Sequence, residues 1–416
     1  MTETGLTQTI QATALAAMLE SAQTSHGATV YRGVLTPQRL DAPEMEIAAL
    51  TAGAALHDLG WMRRVSVRGE DRFRWLSGMV TNTVNDLFPN TGAWNLVLNA
   101  QGRIQGDLTV WREGEEMSPQ RRKTVAAAQK DSAGVEDRLL GTPFAGESGL
   151  DLEIAADQYD KLMAHLNQFI VMDDVELIPV GWDASGEPGS ETAVGLIGPM
   201  ADEVLERVGL PVISQPMTGA SVEWNGWDLR ILRGYGVLAP HYEFWVASAG
   251  LKNLWSHLRT GGASPVGCAA WEAFRIAEGI PAYGIDIVER DLPQETSQMR
   301  ALHFNKGCYL GQEIVERIRS RGGVHRHLRP LELKGPLPAP GTELMLEDGT
   351  AAGHVTSAAE LPFRKARRGF ALAMIRTEAE ARNQPFAYTA GTAAGTARIL
   401  AAPPTLSTGA EASHHE

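Results

Sequence analysis

At Leu328 this sequence changes rhythm. Before it, helical and extended stretches alternate. After it the helices largely stop, and short extended runs follow at Leu331–Leu333, Glu343–Leu346, Ala352–Ser357, Gly369–Ala373 and Thr396–Leu400. Gly and Pro punctuate these runs, which is the pattern of a small antiparallel barrel. The earlier part lacks the repeated strand–helix–strand unit of a parallel doubly wound sheet, so it reads as α+β subdomains with antiparallel sheets. At 416 residues the chain is too long for one ordinary core, in keeping with two or three domains.

Local patterns place the elements. Ala12 to Ala22 is rich in helix formers, and short extended pieces follow to about residue 50. Val65 to Asp71 reads as a strand and turn, continued by a helix to Met79. Trp94–Asn99 and Arg103–Trp111 form a hairpin about Ala100-Gln101-Gly102, with Gly at the turn. Residues 113–149 lack strand alternation and carry the charged run Gln120-Arg121-Arg122-Lys123, so they read as a surface insertion. Alternation resumes at Leu150–Ile154, and Asp157 to Val171 is an amphipathic helix with Tyr159, Leu162, Met163, Leu166 and Ile170 inward. Further strands are expected at Ala193–Gly198, Val222–Trp224 and Leu229–Leu232, and helices at Met200–Val208, Ala249–Leu258 and Ala269–Ala277. Residues 403–416 read as a disordered tail.

Composition excludes several classes. Apolar residues make up 44% of the chain and charged residues 21%, the balance of a soluble globular protein. No run of 18 apolar residues occurs, so no membrane-spanning helix is expected. The N-terminus is acidic and polar where a signal peptide is basic, which points to the cytoplasm. A net charge of −13 argues against direct nucleic-acid binding. One local exception is the basic run Arg317 to Arg329, which could hold an anionic ligand or partner, or be a solvated linker. Two cysteines, Cys268 and Cys308, rule out a disulfide framework and a four-cysteine metal site within one chain. His303, His325 and His327 lie near Cys308 in sequence, but their spacing matches no standard zinc pattern, so no metal is expected.

The segment Lys306-Gly307-Cys308-Tyr309-Leu310-Gly311-Gln312-Glu313 concentrates the chemistry. Gly307 and Gly311 allow a tight turn around the thiol. A lysine beside a cysteine favours the thiolate, and Tyr309, Gln312 and Glu313 complete a polar loop. The bland alternative is that Cys308 fills a core as a small hydrophobe. Cys268, at an apolar helix start, fits that alternative well.

The segment KGCYLGQE resembles the K-G-C-[FYW]-x-G-Q-E signature of the YgfZ family, a branch of the folate-binding superfamily that includes the glycine-cleavage T-protein. The resemblance runs from about Leu56 to Leu400. It implies a three-lobed folate-binding architecture in which residues 1–327 form two α+β subdomains and 328–402 a C-terminal antiparallel β-barrel. It implies tetrahydrofolate or a derivative as ligand, and Cys308, aided by Lys306, as the functional thiol. It also implies iron–sulfur assembly proteins or client enzymes as partners, including enzymes that modify tRNA, and a transient iron–sulfur cluster contact. A monomer is expected.

The resemblance assigns folate-binding positions residue by residue. The T-protein pattern G-G-I-x-D-D-L appears as Gly102 to Leu108, with Asp107 matching the second acid and Gly106 standing in for the first; Asn99 also matches. G-Y-T-G-E-x-G-x-E-I appears as Gly234 to Phe244, where only the second glutamate, Glu243, survives. R-x-x-x-G-x-P-x-Y-G appears as Arg275 to Gly284, with Arg275 as the arginine for the glutamate tail and Tyr283 nearby. Each has a plain alternative: a strand-edge carboxylate for Asp107, a polar strand face for Glu243, a helix-surface ion pair for Arg275. The two missing acids weigh against a conventional aminomethyl- or methyltransferase, which stays as the alternative activity. A scaffold that holds partners through the basic run and the insertion is a third reading.

Overall fold

Alternation along two antiparallel sheets lays out this protein. The computed structural model describes residues 10–21, 27–114, 148–180, 190–363, 366–404 and 406. The first sheet has five antiparallel strands in the order Gly92–Leu98, Ile104–Arg112, Leu150–Ala155, Met62–Arg68 and Glu176–Pro179. Its apolar positions, among them Val67, Leu108, Val110, Leu152 and Ile154, form one core with Leu76, Leu162 and Leu166 of helices Arg72–Met79 and Ala156–Asn167. The second sheet has six strands in the order Thr218–Trp224, Trp227–Arg233, His241–Ala247, Glu191–Ile197, Ala55–Asp58 and Ser264–Val266. Only the last pair is parallel. Here Val194, Leu196, Tyr242, Phe244 and Val246 pack on helices Ala201–Val208 and Leu251–Thr260.

Successive side chains of a strand point to opposite faces. The intervening residues of both sheets therefore turn away from these cores. Trp111 and Trp245 meet in a small apolar cluster with Leu59, Ala193 and Leu232, and beside it the two sheets leave a cavity.

The third lobe is a closed antiparallel barrel of six strands, Arg326–Lys334, Ala366–Arg376, Ala351–Phe363, Glu343–Met345, Phe386–Ala390 and Ala393–Ile399. The strand Phe386–Ala390 escapes the sequence reading because Ala and Thr separate its two inward residues, Phe386 and Tyr388, and lower its contrast. Helix Cys268–Glu278 fills the seam with the six-stranded sheet, joining Trp271 and Phe274 to Leu361 and Phe370 of the barrel. It stops at Gly279, whose φ of 75° is the left-handed end that glycine adopts without strain.

Several expectations need correction. The stretch before residue 50 contains a further helix, Pro43–Ala52, with Pro at its start. The helix from residue 156 ends at Asn167, so Ile170 lies beyond it. The basic run is not a linker between lobes. Its first half is the end of helix Gln312–Arg321 and its second half opens the barrel. There Arg326 pairs with Asp291 at 2.7 Å and Glu295 at 3.0 Å, while His327 and Arg329 share Glu380. Residues 115–147 of the expected insertion and most of the 403–416 tail lie outside the described residues. Among the described residues no helix is long and apolar enough to cross a membrane.

Candidate functional site

The cavity between the two sheets is aromatic and charged together. Tyr31, Trp61, Trp94, Trp111, Tyr235 and Trp271 contribute to its walls. Asp107, Glu243, Arg275 and Tyr283, four of the five residues proposed for folate from sequence, also line it. They arrive from two sheets, one helix end and one loop. The fifth, Asn99, is not in the wall. Its Oδ1 accepts from the backbone amides of Gln101 and Arg103, at 3.0 and 2.9 Å, so it is a turn residue that shapes the hairpin.

Asp107 is held on both oxygens, by Trp94 Nε1 at 2.9 Å and Gln158 Nε2 at 2.7 Å. The same packing accounts for the missing acid beside it. A Cβ on Gly106 would stand 2.6 Å from Gln158 Oε1 and 2.8 Å from a Leu162 methyl, so a side chain there must push aside the amide that holds Asp107. In the loop where the other glutamate is missing, a carboxylate enters from the helix Cys268–Glu278. Glu278 Oε1 accepts from the amides of Val237 and Leu238, at 3.0 and 2.9 Å, and its carboxylate also meets His241 Nε2.

Arg275 is corrected by the geometry. Its guanidinium donates to Glu272, to Asp286 at 2.7 Å and to the Ile280 carbonyl, and its side chain is 4% exposed. Burial alone would lower its pKa, but Asp286 and Glu272 hold it raised. Asp286 in turn accepts from Thr356 and Ser357 of the barrel, each at 2.6 Å. Arg275 is thus committed to joining lobes. Tyr283 accepts from Lys161 Nζ at 3.0 Å, and its pKa is raised by burial.

Three wall residues were not assigned from sequence. Glu153 accepts from Trp111 Nε1 at 2.6 Å and lies within hydrogen-bonding reach of Glu243. Burial raises the pKa of both; repulsion from Glu153 adds to the rise at Glu243, and repulsion from Asp151 to that at Glu153. A charged residue inside the apolar alternation of Leu150–Ile154 was the available signal. His241, paired with Glu278, was visible but carried no pattern. Arg300 had no sequence signal. It sits between the rings of Tyr235 and Trp94, 3.9 and 4.4 Å from their centroids.

The cysteine loop lies outside this wall. Cys308 is exposed, whereas Cys268 is buried with its thiol pKa pushed up to about 12 by desolvation. Tyr309 is buried and anchors the loop among Leu96, Ile104, Ala301 and Val315. Gln312 Oε1 accepts from the Tyr309 amide at 3.1 Å, and Glu313 is exposed in the first turn of the helix that follows. Gly311 has φ 81° and a Cβ there would stand 2.6 Å from the Asn99 carbonyl oxygen, so only glycine fits. Gly307 differs from expectation: its φ is not positive and an added Cβ would meet nothing within 4 Å. Lys306 differs too. Its ammonium donates to the carbonyls of Val80 and Asn82, both at 2.7 Å, rather than to the thiol.

Residues 10–118 match the GCVT N-terminal domain and residues 325–405 match the CAF17 C-terminal beta-barrel domain. Together they support the folate-binding T-protein superfamily. A chloroplastic protein of Arabidopsis thaliana described as a candidate transferase is 24% identical over 82% of this chain and 69% of its own length. An aminomethyltransferase of a Nostoc species is 24% identical over 79% of each chain. The crystal structure of aminomethyltransferase T of the glycine cleavage system from Bartonella henselae superposes with a TM-score of 0.76 at 18% identity, covering 95% of this chain and 98% of that one. The three-lobed T-protein fold, with its closed C-terminal barrel, is therefore the fold of this protein.

Proposed function

We propose that this protein binds a tetrahydrofolate in the aromatic cavity and, through Cys308, supports assembly or repair of iron–sulfur clusters in client enzymes, including enzymes that modify tRNA. The carrying observation is a separation of parts. The cavity wall is furnished for a flat heterocycle, and the exposed thiol stands on a rigid loop outside it. A pterin edge needs hydrogen-bonding groups that both donate and accept, and the wall carboxyls of Glu153 and Glu243, both with raised pKa values, can serve either way. The iron–sulfur cluster in this reading is cargo, met by a single exposed thiol. In a strain lacking the protein, Cys308→Ser should fold and bind tetrahydrofolate yet leave iron–sulfur enzyme activity unrestored. Full restoration by that variant would remove the thiol from the reading.

A folate-dependent aminomethyl- or methyltransferase is the second reading, favoured by the named activity of the Nostoc relative. Against it, both oxygens of Asp107 are occupied and its neighbouring acid is Gly106. Turnover of a one-carbon donor with tetrahydrofolate, abolished by Asp107→Asn, would reverse the order of the two readings.

A further inference from the structure

Exposed cations gather where the thiol stands. The helix Gln312–Arg321 follows directly on the cysteine loop, which is tied to its first turn by the Tyr309 amide on Gln312 Oε1 at 3.1 Å. The helix buries Val315, while Glu313, Arg317 and Arg321 are exposed at a spacing of four, so they form one row along its outer face. Beside the row, Ile314 packs on the hairpin turn: a Cβ on Gly102 would stand 2.7 Å from Ile314 Cβ. The next hairpin residue is Arg103, exposed, whose guanidinium donates to the carbonyl of Arg290, itself exposed.

The arginines of this region divide by their partners. Arg326 is held by Asp291 and Glu295, and Arg329 by Glu380. Arg319 lies 3.5 Å from Glu316 and stacks on Phe304. Arg103, Arg290, Arg317 and Arg321 have no carboxylate at ion-pairing distance among the described residues, and neither does Glu313 have a cation. The whole chain carries 50 acidic residues against 37 lysines and arginines. Four unpaired arginines around one exposed thiol therefore make a positive face on a negative protein.

Their spread decides what the face can hold. A small anion needs donors that converge on one point. Here about 6 Å of helix rise separates Arg317 from Arg321, and the other two cations stand on separate segments. Such a row fits an extended acidic surface. A nucleic acid would bring the same sign of charge, but it is repelled by the net −13 of the rest of the molecule. A protein segment rich in Asp and Glu presents its charge locally and is not.

We propose that Arg103, Arg290, Arg317 and Arg321 form the docking surface for an acidic segment of a client protein, which sets the client's cluster site against Cys308. This rests on the reading of Cys308 as the functional thiol, and it adds the chemistry by which a client is recognised. Charge pairing of this kind sets association rate and choice of partner.

The first measurement is the rate at which Cys308 reacts with the dianion dithiobis(nitrobenzoate) and with uncharged dithiodipyridine, Cys308→Ser giving the background. Arg317→Glu with Arg321→Glu should slow the dianion about tenfold or more relative to the uncharged reagent at about 10 mM salt, and the effect should fade at about 1 M. The second is restoration of iron–sulfur enzyme activity in a strain lacking the protein. The reversed variant should unfold cooperatively near the wild-type denaturant midpoint, yet restore little. Lys252→Glu with Arg259→Glu, the same charge change at exposed positions of helix Leu251–Thr260, should restore fully. An unchanged ratio of rates, or full restoration by the reversed variant, overturns the docking surface and leaves the thiol reading standing. Binding of a transfer RNA transcript by the wild type that the reversed variant loses overturns the protein occupant in favour of nucleic acid. Restoration by Cys308→Ser overturns the thiol reading itself.

Discussion

Lys306 bonds to the carbonyl of Asn82, and the side chain of that asparagine holds the backbone of Arg300. Two hydrogen bonds therefore connect the cysteine loop to the wall of the cavity. The backbone amide of Asn82 also donates to Asn95 Oδ1 at 2.7 Å, which ties the same point to the five-stranded sheet.

Burial of Lys306 should be visible in the pH dependence of stability. Its pKa is lowered to about 7 by desolvation, against about 10.4 for an unfolded lysine. Between those values the unfolded chain binds more protons than the folded one, so this group makes stability rise with pH across that window. Urea midpoints of wild type and Lys306→Met at about pH 6.5 and about pH 9.5 check it. The wild type should gain on the variant at the higher pH, and a constant gap would show that the amine does not titrate there.

Glu153 should give the opposite slope. Its pKa is raised by burial, so the folded protein keeps a proton that the unfolded chain releases. Stability from this group is present below the ordinary glutamate range and is lost as pH rises toward neutrality. Glu153→Gln should melt increasingly above the wild type, in relative terms, from about pH 5 to about pH 8. A constant difference between the two proteins over that range would mean that Glu153 does not hold a proton in the folded state.

The two glycines beside the thiol should behave differently. Gly311→Ala forces a side chain into a left-handed turn and against the Asn99 carbonyl, a loss of about 1–3 kcal/mol or more. Gly307→Ala faces open space and should stay within about 0.5 kcal/mol of wild type. Chemical denaturation of both variants measures this directly.

Arg275 should report on lobe packing. Arg275→Ala leaves Asp286 buried, with a fully covered side chain and no cation, which costs about 3–5 kcal/mol. Adding Asp286→Leu to Arg275→Met should recover part of that loss, measured by the same denaturation. The folded fraction of Arg275→Met should retain its affinity for tetrahydrofolate, because four of the five N–H groups of Arg275 are already engaged within the protein.

Much of the site was legible as positions and little of it as roles. Asp107 and Glu243 were assigned through the family resemblance, and both face the cavity because strand alternation sends them away from Leu108, Phe244 and the lobe cores. Arg275 looked like a ligand arginine because its acid partners are not adjacent in an obvious pattern; Asp286 reaches it only after the chain turns back through Ala282. Lys306 looked like a partner for the thiol because it is two residues away, yet its side chain reaches back to residues 80–82.

The sequence by itself determined the local geometry: the hairpin turn at Gly102, the stop at Gly279, the glycine-only turn at Gly311 and the barrel after Leu328. Those depend on backbone sterics and on two-residue and helical periodicities, which act between near neighbours. The tertiary structure alone decided which charges meet. Glu153 and Glu243 come from different sheets, Glu278 enters a loop it does not belong to, and Arg300 is left without an acid partner among the described residues. Electrostatic roles follow from burial and from distances across packed lobes, and neither is written in the spacing of a single strand.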